Sequence, residues 1–458
     1  MPTPPVPTPA VPAPAAAPAA AQAPATAPQT CPRCAAALDA DPRFTAWCPH
    51  CDWNLTPGPE RAAATRHEAA AAARTDRLYE DVAAGRTATA GRRDWLAASA
   101  IATVVHLATA SLFSWGLWLL VTGNTPLRCL GAIVLAVVVL LRPRLGRAPR
   151  GEGVLDRAQA PALYGLADRV AAEVGAGPVG VIRVDGEFNA SVGAVGLRRR
   201  SVLTLGLPLW EALGEQERVA LLGHEFGHRV NGDHRRGLWL GSAIHAIAHW
   251  HELARPRTHA GGGVGLMHLL LHFTDLVTNA VLGVVAWMLR RVFGLLDRLT
   301  VRAGQQAEYH ADTLATRVAS TGATRRMLRT LLLDGTVDTV VTRVRAELQG
   351  RPRAPRRGAD PAATGPAPRA AATEELWEKL RDHLAAVPPL EHERLLRRSA
   401  LDRGAVDSTH PPTHLRLALL DRRPDLPAAV TTTPAEAAAI SAELAPHRTR
   451  IARTLLAG

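Results

Sequence analysis

Hydrophobic positions run along this chain in two styles. Residues 95–122 form a long apolar run in which His106 is the one titratable side chain, long enough to cross a bilayer as a helix. Gly123-Asn-Thr-Pro126 predicts a turn, and 127–141 is a second, shorter run with Arg128 near its start. At about 1.5 Å per helical residue, this second run falls short of a hydrocarbon core of roughly 30 Å. Apolar runs return at 238–250 and 264–289, the latter again long enough to span. They carry His245, His249, His268, His272, Asp275 and Asn279, polar groups that a membrane tolerates where they face protein.

Between these runs the periods are those of a folded, water-facing unit. Residues 157–174 show a helical period, while 179–184, 187–193 and 201–205 read as strands, with a turn at 198–200. A helix is predicted over 211–230, stopped by Asn231-Gly232. Helices resume from 374 to the end, interrupted at 408–412, and 350–373 is Pro/Arg/Ala-rich without period, an expected disordered loop. The expected class is α+β, mainly helical, with its few strands ahead of most of its helices. In order, we expect a disordered Pro/Ala-rich tail (1–29), a small ribbon (30–56), a helical linker (57–94) and a transmembrane hairpin (95–142). The main domain follows over 150–345, and 374–458 adds its C-terminal helical part.

Charge and cysteines narrow the setting. Of 458 residues, 53 are Lys or Arg against 41 Asp or Glu, a net charge of +12. The Arg residues cluster beside the apolar runs, which points to an anionic membrane surface. Aromatic content of 4% argues against a stacking platform for nucleic acid. Arg92 and Arg93 precede the first apolar pair, and Arg142, Arg144, Arg147 and Arg150 follow it, so both ends are expected in the cytoplasm. No basic and apolar leader precedes residue 29, so no secretory signal peptide is predicted. Cys31-Pro-Arg-Cys34 and Cys48-Pro-His-Cys51 are two CxxC knuckles. Together they predict one structural zinc held by four thiolates, because so short a segment has too little core to fold without metal.

The sharpest chemistry lies in His224-Glu-Phe-Gly-His228. Histidines four apart project from one helix face and can bind one tetrahedral metal. Glu225 then lies beside the open coordination position, where a carboxylate can take a proton from water and pass it to a departing amine. Downstream, Glu308 and Asp312 share a helix face; a carboxylate beside two histidines completes a catalytic zinc site, and Asp312 is placed to receive an imidazole N–H. His310 is a competing ligand that points away from that face. The i, i+4 pairs His245/His249 and His268/His272 leave a second metal site conceivable, although histidines facing a bundle interior are the commoner case.

With these motifs in order, the chain resembles the HtpX and type I CAAX prenyl protease family of integral-membrane zinc peptidases, and the HtpX branch most. The resemblance rests on His224, Glu225 and His228 followed by Asn231-Gly-Asp233, on Glu308-Tyr-x-Ala-Asp312, on Asn189-Ala190, and on Thr409-His-Pro-Pro-Thr-x-x-Arg416. It covers roughly 95–345 and 400–422 and leaves out the tail, the ribbon and the 350–373 loop. Phe226, where the family usually has Leu, and Gly304-Gln305-Gln306, which lacks the usual Arg, depart from it. The resemblance implies zinc on His224, His228 and Glu308, with Glu225 as general base and Asp312 orienting a ligand. It also implies that Asn189, Ala190, Ser191 and Val192 form an edge strand for extended substrate, with His410 and Arg416 near the site as oxyanion stabiliser or structural clamp. A bland reading of His410 is a position in the cap region of the last core helix.

The expectation is a multi-pass cell-membrane zinc endopeptidase, with two zinc ions and with protein or peptide substrates, probed at the cytoplasmic face. The alternative is a non-catalytic membrane scaffold whose ribbon recruits partners. Neither substrate, nor ribbon partner, nor oligomeric state is legible.

Overall fold

The computed structural model describes residues 30–39, 41–57, 66–86, 90–141, 149–196, 200–230, 233–255, 266–350, 367–401 and 410–457. The chain divides into two compact units, one up to Glu60 and one from Arg61. The first unit is two backbone knuckles of the same design. In each, the residue after the second cysteine donates its N–H back to the first: Ala35 to Cys31 O and Asp52 to Cys48 O, both 2.9 Å. Both residues take left-handed backbone, φ 58° at Ala35 and 55° at Asp52. Trp47 and Leu55 are the bulky side chains this small unit buries.

The second unit is mainly helical around a small sheet. It begins with α1 (Arg66–Ala83), α2 (Ala90–Thr122) and α3 (Thr125–Leu141), then β1 (Val154–Leu155), α4 (Pro161–Glu173), β2 (Val181–Asp185), β3 (Ala190–Val195) and β4 (Arg200–Gly206). There follow α5 (Leu207–Ala212), α6 (Glu215–Val230), α7 (Asp233–Leu253), α8 (Leu266–Ala319), α9 (Thr321–Thr330) and a 3-10 turn at Leu331–Leu333. The chain closes with α10 (Asp334–Gly350), α11 (Ala367–Ala385), α12 (Pro389–Leu401), α13 (Thr413–Asp421) and α14 (Pro434–Ala457). The strand order is β1-β2-β4-β3, with β2 and β4 parallel and the outer pairs antiparallel, so β3 is an edge.

The main core lies between this sheet and helices α4, α6, α9, α11 and α14. Leu163, Leu166 and Val170 of α4 meet Ile182, Leu203 and Leu205 of the sheet and Leu222 and Phe226 of α6. Two buried polar contacts tie the layers of this core together, as burial favours. The Tyr164 hydroxyl donates to Leu155 O and accepts from the Ile182 N–H, both at 2.9 Å, tying α4 to β1 and β2. The Glu443 carboxylate takes the N–H groups of Ala162 and Leu163 at 2.7 and 2.9 Å, so α14 caps the orphan donors that open α4.

Helices α2, α3, α7 and α8 are built differently. Ala98, Ala102 and Val105 of α2 pack on Leu240, Ala243, Ala246 and Ile247 of α7 and on Leu296 of α8. The outer faces stay bare: Leu107 and Trp118 of α2 are 60% exposed, and Phe273 and Leu276 of α8 are 64% exposed. Water would penalise so much exposed apolar surface, whereas lipid would cover it. Among the described residues, two helices are long and apolar enough to cross a membrane, Arg93–Thr122 and Phe273–Ala319, and Thr125–Leu140 is a shorter apolar helix. These helices suit association with a membrane. His106, inside α2, turns to protein: its Nε2 lies 3.1 Å from Trp239 O and its ring 4.3 Å from the Trp239 ring.

Several expected boundaries moved. The helix expected over 211–230 is two helices, because Leu213 is extended and Gly214 starts a new one, its N–H received by Glu217 three residues on at 3.1 Å. The strand expected from 187 starts at Ala190, since the Asp185 carboxylate takes the Glu187 N–H and bends the chain first. The helix that carries the apolar run 264–289 does not stop where the run does but continues unbroken as α8 to Ala319. Helix resumes at Ala367 rather than 374, because Pro368 stands in its first turn, where no donor is needed. Gly350 closes α10; the rest of the expected 350–373 loop through 366 lies outside the described residues. So do the 1–29 tail, residues 198 and 199 of the turn expected at 198–200 (Arg200 instead opens β4), Asn231-Gly232, residues 408 and 409, and the side chains of His245, His268 and His272. Asp275 is exposed in α8 rather than turned to a protein neighbour.

Candidate metal and catalytic site

The site forms where α6 and α8 come unusually close. Gly223 and Gly227 of α6 face Ala315 and Ala311 of α8; a Cβ on Gly227 would stand 3.0 Å from Ala311 Cα, and one on Gly223 would stand 3.2 Å from Ala315 Cα. Only small residues allow backbones this near. The spacing of four on both helices is a signal the sequence carried and a reading of polar motifs passes over. The close approach brings Glu308, one turn before Asp312 on α8, up to the imidazoles of α6.

Three side chains from the two helices converge. His224 Nε2 and His228 Nε2 are 3.2 Å apart, His224 Nε2 is 3.4 Å from Glu308 Oε2, and His228 Nε2 is 3.3 Å from Glu308 Oε1. A tetrahedral ion with bonds of about 2.0–2.1 Å separates its ligand atoms by about 3.3–3.4 Å, so the triangle has the size of a zinc site. Glu308 is 3% exposed and its Oε2 makes no hydrogen bond, lying 3.4 Å from His224 Nε2 and 3.6 Å from an Arg416 Nη. A buried carboxylate oxygen without a hydrogen bond is suited to a metal cation. The residues present therefore fit a metal, and among the described residues these three are one of two groups able to hold one.

Behind the triangle stands a buried ion pair. Arg416 of α13 grips Asp312 with both prongs, Nε to Oδ2 at 2.8 Å and an Nη to Oδ1 at 2.7 Å. Asp312 Oδ1 lies 3.0 Å from His224 Nδ1, which fixes the tautomer that leaves Nε2 free to face the metal position. Burial pushes the Asp312 carboxyl up, but the Arg416 charge and hydrogen bonds, with His224, outweigh it and hold it at about 2. Asp312 and Glu308 lie well outside the apolar part of α8, which ends at Arg290-Arg291, roughly 27 Å before Glu308 along the helix.

Glu225 is half-buried, within electrostatic reach of His224, His228, Glu308 and His410, and burial raises its carboxyl above the usual range. His410 precedes α13, whose cap is Pro412 without a side-chain bond, and its Nδ1 reaches Glu308 Oε1 at 2.8 Å. It thus contacts the triangle instead of capping the helix. His310 is exposed and stands outside the cluster. Phe226 is fully buried in the core, away from the metal position. Asn189 folds its own Oδ1 onto the Ala190 N–H at 2.8 Å, and its carbonyl takes the Gly206 N–H at 2.8 Å. Residues 190–192 run along the edge strand, which packs beside α6.

The second metal-capable group is in the first unit. Cys31 Sγ lies 3.6 Å from Cys51 Sγ, and Cys34 Sγ lies 3.5 Å from Cys48 Sγ. All four thiols are free, and these separations approach the roughly 3.8 Å edge of a tetrahedral zinc with four sulfurs, far from a disulfide. The cluster fits a zinc ribbon.

No curated protein and no solved structure matches the chain. Residues 158–424, more than half of its length, match peptidase family M48. With the paired imidazoles, the downstream carboxylate and this match in hand, the chain belongs to peptidase family M48, a family of zinc-dependent metallopeptidases that includes HtpX and the CAAX protease.

Proposed function

We propose that this chain is a membrane-anchored endopeptidase that cleaves membrane or misfolded proteins at the cytoplasmic face. The carrying observation is the meeting of His224, His228 and Glu308 within 3.4 Å of one another, with Glu225 beside them. When bound there, zinc supplies Lewis-acid chemistry, polarising a peptide carbonyl and lowering the pKa of water. The Glu225 carboxylate accepts a proton from the attacking water as its oxygen bonds to the peptide carbon. It returns that proton to the nitrogen as the C–N bond breaks and the amine leaves. Its raised pKa makes its carboxylate the stronger base in the first half, so it takes up the proton that it later returns. Asp312 and Arg416 act through His224, holding its ring and tautomer. His410 acts as a clamp on Glu308 Oε1.

Substrate has a natural place on β3. Because the Gly206 N–H bonds to Asn189 O, pairs 189/206 and 191/204 are the hydrogen-bonded ones in this antiparallel ladder. Val192 and Ala194 then turn their N–H and C=O groups to the open edge, ready for an extended peptide, and Ala190 its C=O, its N–H being held by Asn189 Oδ1. Within the expected stretch 189–192, this assigns backbone pairing to Ala190 and Val192 and leaves Ser191 exposed beside them.

For topology, α2–α3 and α7–α8 are two hairpins with Arg residues at their outer ends, Arg92, Arg93 and Arg142 on the first and Arg235, Arg236, Arg290 and Arg291 on the second. Positive flanks keep both ends of each hairpin in the cytoplasm, together with the catalytic unit and the ribbon. Membership of a peptidase family favours this reading over a non-catalytic scaffold.

The detergent-purified chain should degrade casein, lose that activity to a chelator and regain it with zinc. Glu225→Gln should keep the metal and the fold and lose cleavage. Undiminished proteolysis in that variant would overturn the mechanism.

A further inference from the structure

Helix α1 lies outside the matched region 158–424, yet it packs on two helices that carry the site. Thr75, Leu78 and Tyr79 form its buried stripe, and Val82 extends it by one turn. Tyr79 joins Tyr309, Leu415 and Leu419 in a small hydrophobic cluster of its own, separate from the main core. Two of these partners are immediate neighbours of site residues: Tyr309 follows Glu308 on α8, and Leu415 precedes Arg416 on α13. The Tyr79 and Tyr309 rings have centroids 6.4 Å apart, and the Arg422 guanidinium at the end of α13 sits 5.2 Å over the Tyr79 ring. Polar contacts fix the same seam: Arg302 to Asp81 at 3.1 Å, and Gln305 Nε2 to Thr75 Oγ1 at 3.4 Å.

We propose that α1 is a positioning brace of the active site, with Tyr79 as its key residue. It clamps α8 against α13 from the side opposite the metal triangle, and so holds Glu308 at the imidazoles and Arg416 on Asp312. The physical reason is the spacing of the elements. The main core packs α6 against α8, but at the level of Glu308 the apolar part of the contact between α8 and α13, beside the Arg416 ion pairs, is the small cluster that Tyr79 closes. Removing that ring leaves a void beside Tyr309 and Leu415, and packed helices relax into such voids by shifting. A shift at Leu415 is passed directly to Arg416, whose two-pronged bond to Asp312 tolerates little movement. The inference rests on the reading of Glu308 as a metal ligand.

The test uses the full chain in detergent. Tyr79→Ala should lower kcat and the zinc affinity of the site by about tenfold, with KM little changed, the scale seen when a group supporting a ligand is lost. Tyr79→Phe keeps the ring and should retain kcat and zinc affinity. Glu80→Gln, on the exposed side of α1, should behave as wild type. Arg302→Ala, which removes the Asp81 contact without a large void, should move kcat in the same direction and by less. Glu308→Ala is run beside them. If that variant still holds its second zinc, the ligand reading itself fails. If it loses the zinc while Tyr79→Ala keeps full kcat and affinity, the brace alone is wrong. An equal loss in Tyr79→Phe and Tyr79→Ala would also overturn the packing argument.

Discussion

The two metal-capable clusters of this chain solve different problems. The ribbon draws four like ligands from 31–51, two knuckles with the same backbone, and closes a tetrahedron with nothing left over. The M48 cluster draws unlike ligands from two helices, with His224 and Glu308 far apart in sequence, and leaves one position open beside a carboxylate that burial has made a weaker acid. In the ribbon a bound metal would supply the fold; in the second unit a large core supplies the fold and a bound metal would add chemistry. The contrast teaches that the capacity to hold a metal does not by itself define a role. What defines it is whether the coordination is completed by protein, and whether a proton carrier stands beside it.

Chelation should separate the two regimes most strongly. Structural zinc contributes about 10–16 kcal/mol to so small a unit, so a strong chelator should unfold 30–57, read by the emission of Trp47 and Trp53. The second unit should keep its helical circular dichroism and lose only activity. Simultaneous melting of both would erase the distinction.

Next in size is the general base. Glu225→Gln should cost about 10²- to 10⁴-fold in kcat, whereas Cys31→Ser should release one zinc and leave casein cleavage intact. The stability effect has the opposite sign. A carboxyl whose folded pKa is raised contributes stability below its unfolded pKa and loses it as pH rises through the folded value. Glu225→Gln should therefore melt higher than wild type at neutral pH, and the acid limb of the kcat/KM profile should lie above the ordinary carboxylate range.

Smaller effects test the supporting geometry. Gly227→Ala puts a methyl 3.0 Å from Ala311 Cα and should push α6 and α8 apart, costing about 1–3 kcal/mol and loosening zinc, measured by competition with a chromophoric chelator. Arg416→Lys keeps the charge but not the fork, and should lower kcat by about tenfold with the melting temperature reduced only slightly. The smallest change belongs to the ribbon. Ala35→Gly removes the penalty of a side chain at φ 58° and should raise the ribbon's resistance to chelator by about 0.5–1 kcal/mol. A weaker ribbon in that variant would show that the Ala35 methyl packs usefully.

How much was legible follows the range of the interactions. The knuckles at Cys31 and Cys48 could be read outright, because their geometry is set within a few residues. The helical placement of His224 and His228 could be read for the same reason, and Asp312 beside His224 followed from one turn of one helix. The break at Leu213-Gly214 was missed, because the capping role of Glu217 competes with a continuous apolar period. The continuity of α8 was missed because a change from an apolar to a charged, more mixed run at Arg290 looks in sequence like an end. His410 was left between cap and clamp, since only its distance to Glu308 separates the two.

By itself, then, the sequence determined the chemical types, the local helices and knuckles, the apolar runs and their Arg flanks, all properties of near neighbours along the chain. Tertiary structure alone decided that Gly223 and Gly227 let α8 approach closely enough for Glu308 to meet the imidazoles. It also decided that Arg416 locks Asp312, and that α1 sits behind Tyr309. Each of these joins residues distant in sequence, where packing and desolvation choose among partners that local pattern leaves equal.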